Sequence, residues 1–264
     1  MKSNPAAEDI VNQEVSQTGK TTVQGVYLSV IAPAYNEAEC LPALVESLME
    51  SLKPLKRPFE IILVNDGSSD DTETVIRSLS TTYPEVRGIK HRNNHGQSAA
   101  IVSGLRAAQG EIIATTDADM QNPPQEIPRL LAHLTPGIDA VCGVRTHRRD
   151  TFIRRFASSV GNGFRNIVTG VPVQDAGCGL RVFHRGAAME LPVFNGLHRF
   201  MTTVFKLQGF NVKEIPISHN PRIAGQSKYG INNRLWRGLA DCIAMRWYAK
   251  RVLPARREES DRHA

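Results

Sequence analysis

Two aspartates stand one residue apart in Asp117-Ala118-Asp119-Met120-Gln121, directly after a strand-like run, Glu111–Thr116. The carboxylates of Asp117 and Asp119 and the amide of Gln121 place hard oxygen ligands on one side of an extended turn. Such a set suits Mg²⁺ or Mn²⁺, which take a few protein oxygens and complete their shell with water and substrate phosphates. No His or Cys lies near enough in sequence to suggest zinc. The bland alternative is an Asx-type turn whose side chains bond the backbone. A second acidic turn, Asp66-Gly67-Ser68-Ser69-Asp70, follows another apolar run. It reads as a turn plus helix cap. It also reads as a binding turn, in which Asp66 points outward to a base or ribose and Gly67 permits close approach.

Positive charge is gathered rather than spread. The net charge is +6, yet Arg145 to Arg165 holds six Arg and one acid, and Arg222 to Arg257 holds nine Lys or Arg and one acid. The rest of the chain is therefore acidic. Gathered cations suggest an anionic partner: a phosphorylated ligand, a lipid surface or a nucleic acid. Solvated helical faces would give the same count.

The elements that must position these residues emerge from periodicity. The apolar run Val26–Ala32 and the segments Phe59–Val64, Val86–His91, Glu111–Thr116, Ile138–Val144 and Val212–Ile217 read as strands. Between them, Leu41, Leu44, Val45, Leu48, Met49 and Leu52 mark one helical face. Further helices are expected from Asp70 to Leu79, over Gly96–Gln109 and around Gln125–Leu134. This alternation predicts an α/β fold, a mostly parallel sheet with helices on both faces. Ligands then bind beyond the carboxyl ends of the strands. Tyr35-Asn36-Glu37, Asp66-Gly67-Ser68 and Asp117-Ala118-Asp119 each follow a strand, so they should meet at one edge.

Residues 1–25 read as a loose tail, 26–230 as the α/β domain, and 231–264 as a basic helix and tail. Phe152–Val168 is expected to be a helix mixing Arg with aromatic and aliphatic residues. Ile231–Leu253 mixes Arg and Lys with Trp236, Trp247 and Tyr248, the composition of an interfacial helix, unless Leu235, Leu239 and Ile243 are ordinary core contacts. The 41% hydrophobic content among 264 residues excludes wholesale disorder. Four scattered Cys without a CxxC argue against a disulfide scaffold, and no apolar run reaches membrane-spanning length. A cytoplasmic chain is expected.

At these motifs the sequence resembles the family 2 glycosyltransferases of GT-A fold. The resemblance rests on Ile31-Ala32-Pro33-Ala34-Tyr35-Asn36-Glu37, Val64-Asn65-Asp66-Gly67-Ser68-Ser69-Asp70 and Asp117 to Gln121. Gly143-Val144-Arg145, Arg154-x3-Ser158-x3-Asn162, Asp175 to Arg181 and Arg222 to Lys228 resemble the polyprenyl-phosphate branch. Dolichyl-phosphate mannose synthase belongs to that branch. His95 to Ala100 and Leu197-His198-Arg199-Phe200 look like the bacterial dodecaprenyl-phosphate galacturonate synthases.

The resemblance implies a nucleotide-sugar donor, a polyprenyl phosphate acceptor, a Mg²⁺ or Mn²⁺ cofactor, and work at the cytoplasmic face of the inner membrane. It implies that Pro33, Tyr35, Glu37, Val64, Asp66, Asp117, Ala118 and Lys228 bind the donor. Asp117, Asp119 and Gln121 would hold the metal. Arg145, Arg154, Ser158 and Arg222 would bind the acceptor phosphate. Asp119, Asp175 and Arg145 would lie nearest the reacting atoms. The chemistry is coherent with this. A phosphate monoester is mostly ionised at neutral pH, so no strong general base is needed and positioning dominates. Arg suits that task through bidentate contact with phosphate oxygens.

Three readings compete: transfer to a lipid phosphate, transfer by the same fold to another acceptor, and a non-catalytic nucleotide-sugar binder. The Gln-x-x-Arg-Trp signature of processive synthases is absent, and no nucleic-acid motif is present.

Overall fold

The computed structural model describes residues 25–146, 163–220 and 231–253. Arg154, Ser158, Arg222 and Lys228 lie outside these residues, as does most of the helix expected over 152–168. Residues 163–169 are helical.

Seven strands form one sheet in the order β3-β2-β1-β4-β6-β5-β7. They are β1 (Leu28–Ala34), β2 (Phe59–Asn65), β3 (Val86–Lys90), β4 (Ile112–Thr115), β5 (Ala140–Arg145), β6 (Arg181–His184) and β7 (Val212–Ile217). The strands run parallel except β6, which pairs antiparallel with both β4 and β5. The helices are α1 (Leu41–Leu52), α2 (Thr72–Thr82), α3 (Gln97–Ala107), α4 (Glu126–His133), α5 (Arg185–Met189), α6 (Leu197–Leu207) and α7 (Ile231–Ala249).

The strand alternation sorts two cores, one on each face of the sheet. Val30, Ala32, Ile61, Leu63, Ala114 and Val182 point to one side, where they meet the apolar stripes of α1, α2 and α4. Ile31, Ile62, Val64, Ile113, Ala140 and Phe183 point to the other, against α3, α5, α6 and α7. Both faces are covered, which is why the strands read as continuous apolar runs.

Three features differ from the sequence reading, the first two for physical reasons. First, β1 continues through Pro33, where a stop is expected. Ile31 O accepts Thr116 N, so alternate residues of β1, Pro33 among them, face the β4 side. Pairing with β4 ends at Ile31, and the missing N–H of Pro33 therefore leaves no gap in a ladder. Second, the antiparallel strand β6 is not among the expected strands. It has four residues and begins on an Arg, which masks its buried-strand character. Third, α6 is not among the expected helices, although Leu197, Phe200, Met201, Val204 and Phe205 are buried at helical spacing.

The basic helix α7 is not detached. Cys242 and Met245 are buried in the second core, with Tyr248 packed against it, while Ile243 and Trp247 are 60% and 59% exposed. Ile243 is thus not a core contact.

Candidate functional site

The carboxyl ends of β1, β2, β4 and β5 open at one edge of the sheet. Antiparallel β6 begins there, because Arg181 lies opposite Thr115 and Cys142. The expected convergence of polar turns is found, and the first two are stitched together. Asn36 N donates to Ser68 Oγ at 2.9 Å, Glu37 N to Thr72 Oγ1 at 3.0 Å, and Ser69 N to Asn36 Oδ1 at 2.8 Å. Asn36 adopts a left-handed φ of 52° to make this turn. Tyr35 and Glu37 sit half-buried on the rim.

Asp117 is held from three sides. Gln97 Nε2, at the start of α3, donates to its Oδ1 at 2.8 Å, and Asn122 Nδ2 donates to its Oδ2 at 3.2 Å. Gly179 lies so close that a Cβ there would stand 2.2 Å from Oδ2. Burial, and then the charge of Asp119, push the Asp117 carboxyl up to about 6, against the opposing pull of Arg181 and Arg145. Asp119 Oδ1 accepts Gln121 N at 3.2 Å across Met120, whose φ is +59°. The Asx-type turn and the carboxylate pair are therefore both present.

Two crowded carboxylates, one already raised by the other, fit a divalent cation. Among the described residues no group of three or more His, Cys, Asp or Glu could hold a metal. Two carboxylates fill only part of a Mg²⁺ or Mn²⁺ shell and leave the rest to water or substrate phosphates.

Arg145, at the end of β5, meets Asp175 in a two-pronged pair. Nε donates to Oδ2 at 2.7 Å and Nη2 to Oδ1 at 2.8 Å, and the backbone N of Arg145 adds a third bond at 3.2 Å. Burial works against the guanidinium charge, but Asp175 more than offsets it and holds the Arg145 pKa above its ordinary value. The structure therefore brings these two candidates together, as partners of each other.

Three of the candidates are buried. The side chains of Val64 and Ala118 are buried in the apolar cores, so only their backbone can face a ligand. Asp66 does not point outward. It is 2% exposed and turned toward the β3–α3 loop, accepting His91 Nδ1 at 2.7 Å, His95 N at 3.0 Å and Gly96 N at 2.7 Å. Burial alone would raise its pKa, but the bonds from His91, His95 and Gly96 hold it below the ordinary carboxylate range.

Apart from Asp117, sequence reasoning left the opposite wall of the cleft without a role. Gln97, Asp117, Arg181, His198, Arg199 and the 176–179 backbone line it. Arg181 is only 2% exposed. Its guanidinium donates to His198 O at 3.0 Å and Ala176 O at 3.4 Å, and it shares no ion pair with an acid among the described residues. A buried cation held by neutral acceptors is costly unless charge nearby compensates it. Burial, and then the charges of Arg199 and Arg181, push His198 down to about 4, so its ring is neutral at neutral pH. Ser98 Oγ accepts Gly196 N at 3.0 Å and lies 2.7 Å from His198 Nδ1. The Ser98 hydroxyl proton then goes to Nδ1, which leaves the imidazole proton on Nε2. Both His and Arg sit in a motif already singled out, Leu197 to Phe200. The signal for the cleft was therefore in the sequence, without the distances to use it.

Comparison with known proteins agrees with this geometry. The profile described as "Glycosyl transferase family 2" matches residues 29–191. The undecaprenyl-phosphate 4-deoxy-4-formamido-L-arabinose transferase of Shewanella sediminis (strain HAW-EB3) is 34% identical over 208 residues, covering 78% of this chain and 63% of the relative. The protein of the same name from Yersinia enterocolitica is 36% identical over 206 residues, covering 77% and 63%. The matched region thus spans less than two thirds of these relatives' own length. Among solved structures, glucosyl-3-phosphoglycerate synthase from Mycobacterium tuberculosis with Mn²⁺, UDP and phosphoglyceric acid superposes with a TM-score of 0.63 at 20% identity, covering 88% of this chain and 81% of that one. Mannosyltransferase PcManGT from Pyrobaculum calidifontis, with GDP-Man and Mn²⁺, gives 0.60 at 21%, covering 93% and 69%. At such identities these likenesses speak for the fold. The profile spans more than half of the sequence; the chain belongs to glycosyl transferase family 2.

Proposed function

We propose that the protein is a metal-dependent, inverting glycosyltransferase that moves a sugar from a nucleotide-sugar donor to a polyprenyl phosphate. The observation that carries this reading is the meeting, at one sheet edge, of the Asp117/Asp119 pair with Arg145–Asp175 and the buried Arg181. The names of the relatives, which act on undecaprenyl phosphate, support the choice of acceptor.

In this reading the rim of Pro33, Tyr35 and Glu37 receives the nucleotide, with Asp66 behind it. Asp117, Asp119 and Gln121 would hold Mg²⁺ or Mn²⁺, whose positive charge stabilises the departing diphosphate. Lys228 adds charge to the same phosphates. Arg145, with Arg154, Ser158 and Arg222, orients the acceptor phosphate, and Asp175 fixes the direction of the Arg145 fork. A phosphate oxygen of the lipid attacks the anomeric carbon in line. The new C–O bond forms as the bond to the diphosphate breaks, and the anomeric configuration inverts. No proton needs removing from an ionised monoester, so positioning and charge supply the rate.

Phe164, Ile167, Ile243, Trp247 and Leu253 are exposed apolar residues. Arg246 Nη1 donates to Val168 O at 3.2 Å, so α7 and the end of the 163–169 helix lie side by side. Arg251 stacks over Trp247 at 4.9 Å. This surface supports peripheral docking on the cytoplasmic face of the inner membrane, where the acceptor resides. Among the described residues no helix is long and apolar enough to cross a membrane.

The test is anomeric. Purified protein with Mn²⁺, a labelled UDP- or GDP-sugar and polyprenyl phosphate should yield a lipid-linked sugar of inverted configuration. A retained configuration would contradict the in-line step.

A further inference from the structure

Beside the cleft lies a buried polar network that the proposed reaction does not use. His91 comes directly after β3 and is 3% exposed. Its Nδ1 bonds Asp66 Oδ1 at 2.7 Å, and its Nε2 lies 2.9 Å from Ser103 Oγ on α3. The carboxylate requires a donor, so Nδ1 carries the proton and Nε2 accepts from Ser103. Asp66 also accepts the two backbone N–H groups, His95 on Oδ1 and Gly96 on Oδ2, that end the loop before α3. Asn94 Nδ2 adds a bond to Asp66 O at 3.2 Å. Gly67 lies under the same loop, where a Cβ would stand 2.4 Å from the carbonyl carbon of Asn93. The loop is thus pressed onto the turn after β2 and tied there by one carboxylate.

The loop leads straight into the cleft. Gln97 comes next, with its amide on Asp117 Oδ1, and then Ser98, which holds Gly196 and His198. Asp66 without His91 would keep two backbone donors but lose the side chain that turns it inward. A buried carboxylate short of a donor swings toward whatever water or ligand can satisfy it.

We infer that His91 is a positioning residue for the donor site. It holds Asp66 as the anchor of residues 93–97 and, through them, keeps the Gln97 amide on Asp117. Asp66 then also acts by setting this loop. The inference rests on the reading that Asp117 and this loop belong to the donor site.

Three substitutions separate the bond from the bulk. H91L removes both bonds. In H91N the side-chain amide takes the place of Nδ1 and can still donate to Asp66. In H91Q the amide reaches the position of Nε2 and can meet only Ser103. Two readouts are needed: donor KM and kcat, and hydrogen exchange of the His95 and Gly96 amides. H91L and H91Q should raise donor KM about ten-fold, the usual scale for one buried bond to a charged group. Their kcat should stay within about two-fold, and both amides should exchange faster. H91N should restore KM and protection. The inference is overturned if H91L leaves KM and exchange unchanged, if H91Q recovers as well as H91N, or if kcat falls with KM unmoved. Should H91L fail to fold, H91N against H91Q decides alone. Should wild-type protein turn over no nucleotide sugar, the proposed function fails, and the exchange comparison still decides whether His91 sets the loop.

Discussion

Asp117 and Asp119 carry like charge one residue apart, and burial, then the charge of Asp119, push the Asp117 carboxyl up to about 6. Removing one charge relieves the other. D119N should therefore leave the melting temperature of the metal-free protein unchanged or higher, while metal-dependent transfer falls at least ~100-fold, a loss typical of removing a charge-stabilising group. Calorimetry and a nucleoside diphosphate release assay check the two halves. Asp66 behaves oppositely. Its folded pKa lies below the ordinary 3.8, so its stabilisation is fully present above about pH 4 and is lost as the pH falls through the lower folded value. D66N should cost about 1–3 kcal/mol at pH 7. In urea titrations the gap from wild type should narrow steadily as the pH falls below the ordinary carboxylate range; a gap independent of pH would contradict the sign.

At the level of elements, the site depends on loops that fit without spare room. Gly179 precedes β6 and touches Asp117, so G179A must displace either the carboxylate or the loop. Transfer should fall about ten-fold or more, with helix content by circular dichroism unchanged. The elements themselves were largely legible. β2, β3, β7 and α1 appear within a residue of expectation: β2 is buried on both faces, the edge strands β3 and β7 keep a few apolar residues between turn signals, and α1 carries a clean apolar stripe. β6 was illegible because a short strand opening on Arg181 resembles a loop, whereas α6 carries a readable apolar stripe around its His-Arg pair. The acidic turns of the site were legible as residues. Their partners were not. Gln97 and Asp117 lie 20 residues apart, His91 and Asp66 25, and Arg145 and Asp175 30, and no local period reports such pairs. The chain order carries no sign that Asp66 faces inward, since the donors that turn it arrive from the next loop.

The whole molecule presents two different surfaces. One is the acidic and guanidinium cleft at the sheet edge. The other is the exposed set of Phe164, Ile167, Ile243, Trp247 and Leu253, beside Arg246, Lys250 and Arg251. If that set docks on lipid, intact protein should co-float with anionic vesicles and be released by salt, since each basic residue near such a surface contributes about 1 kcal/mol. W247A should weaken vesicle binding about five-fold or more while leaving the fold intact, because Trp247 is 59% exposed and makes little of the core. Indifference to lipid and salt would show that this set does not dock. In the proposed reaction, acids and guanidinium groups at one edge pass the sugar of a nucleotide sugar to a lipid phosphate and release the nucleoside diphosphate. The decisive measurement is nucleoside diphosphate release by the purified chain across a panel of nucleotide sugars, with and without polyprenyl phosphate and Mn²⁺. Release that requires all three components, and that D117N abolishes, is the result expected. Release that proceeds equally without the lipid phosphate, or is untouched by D117N, would contradict that reaction.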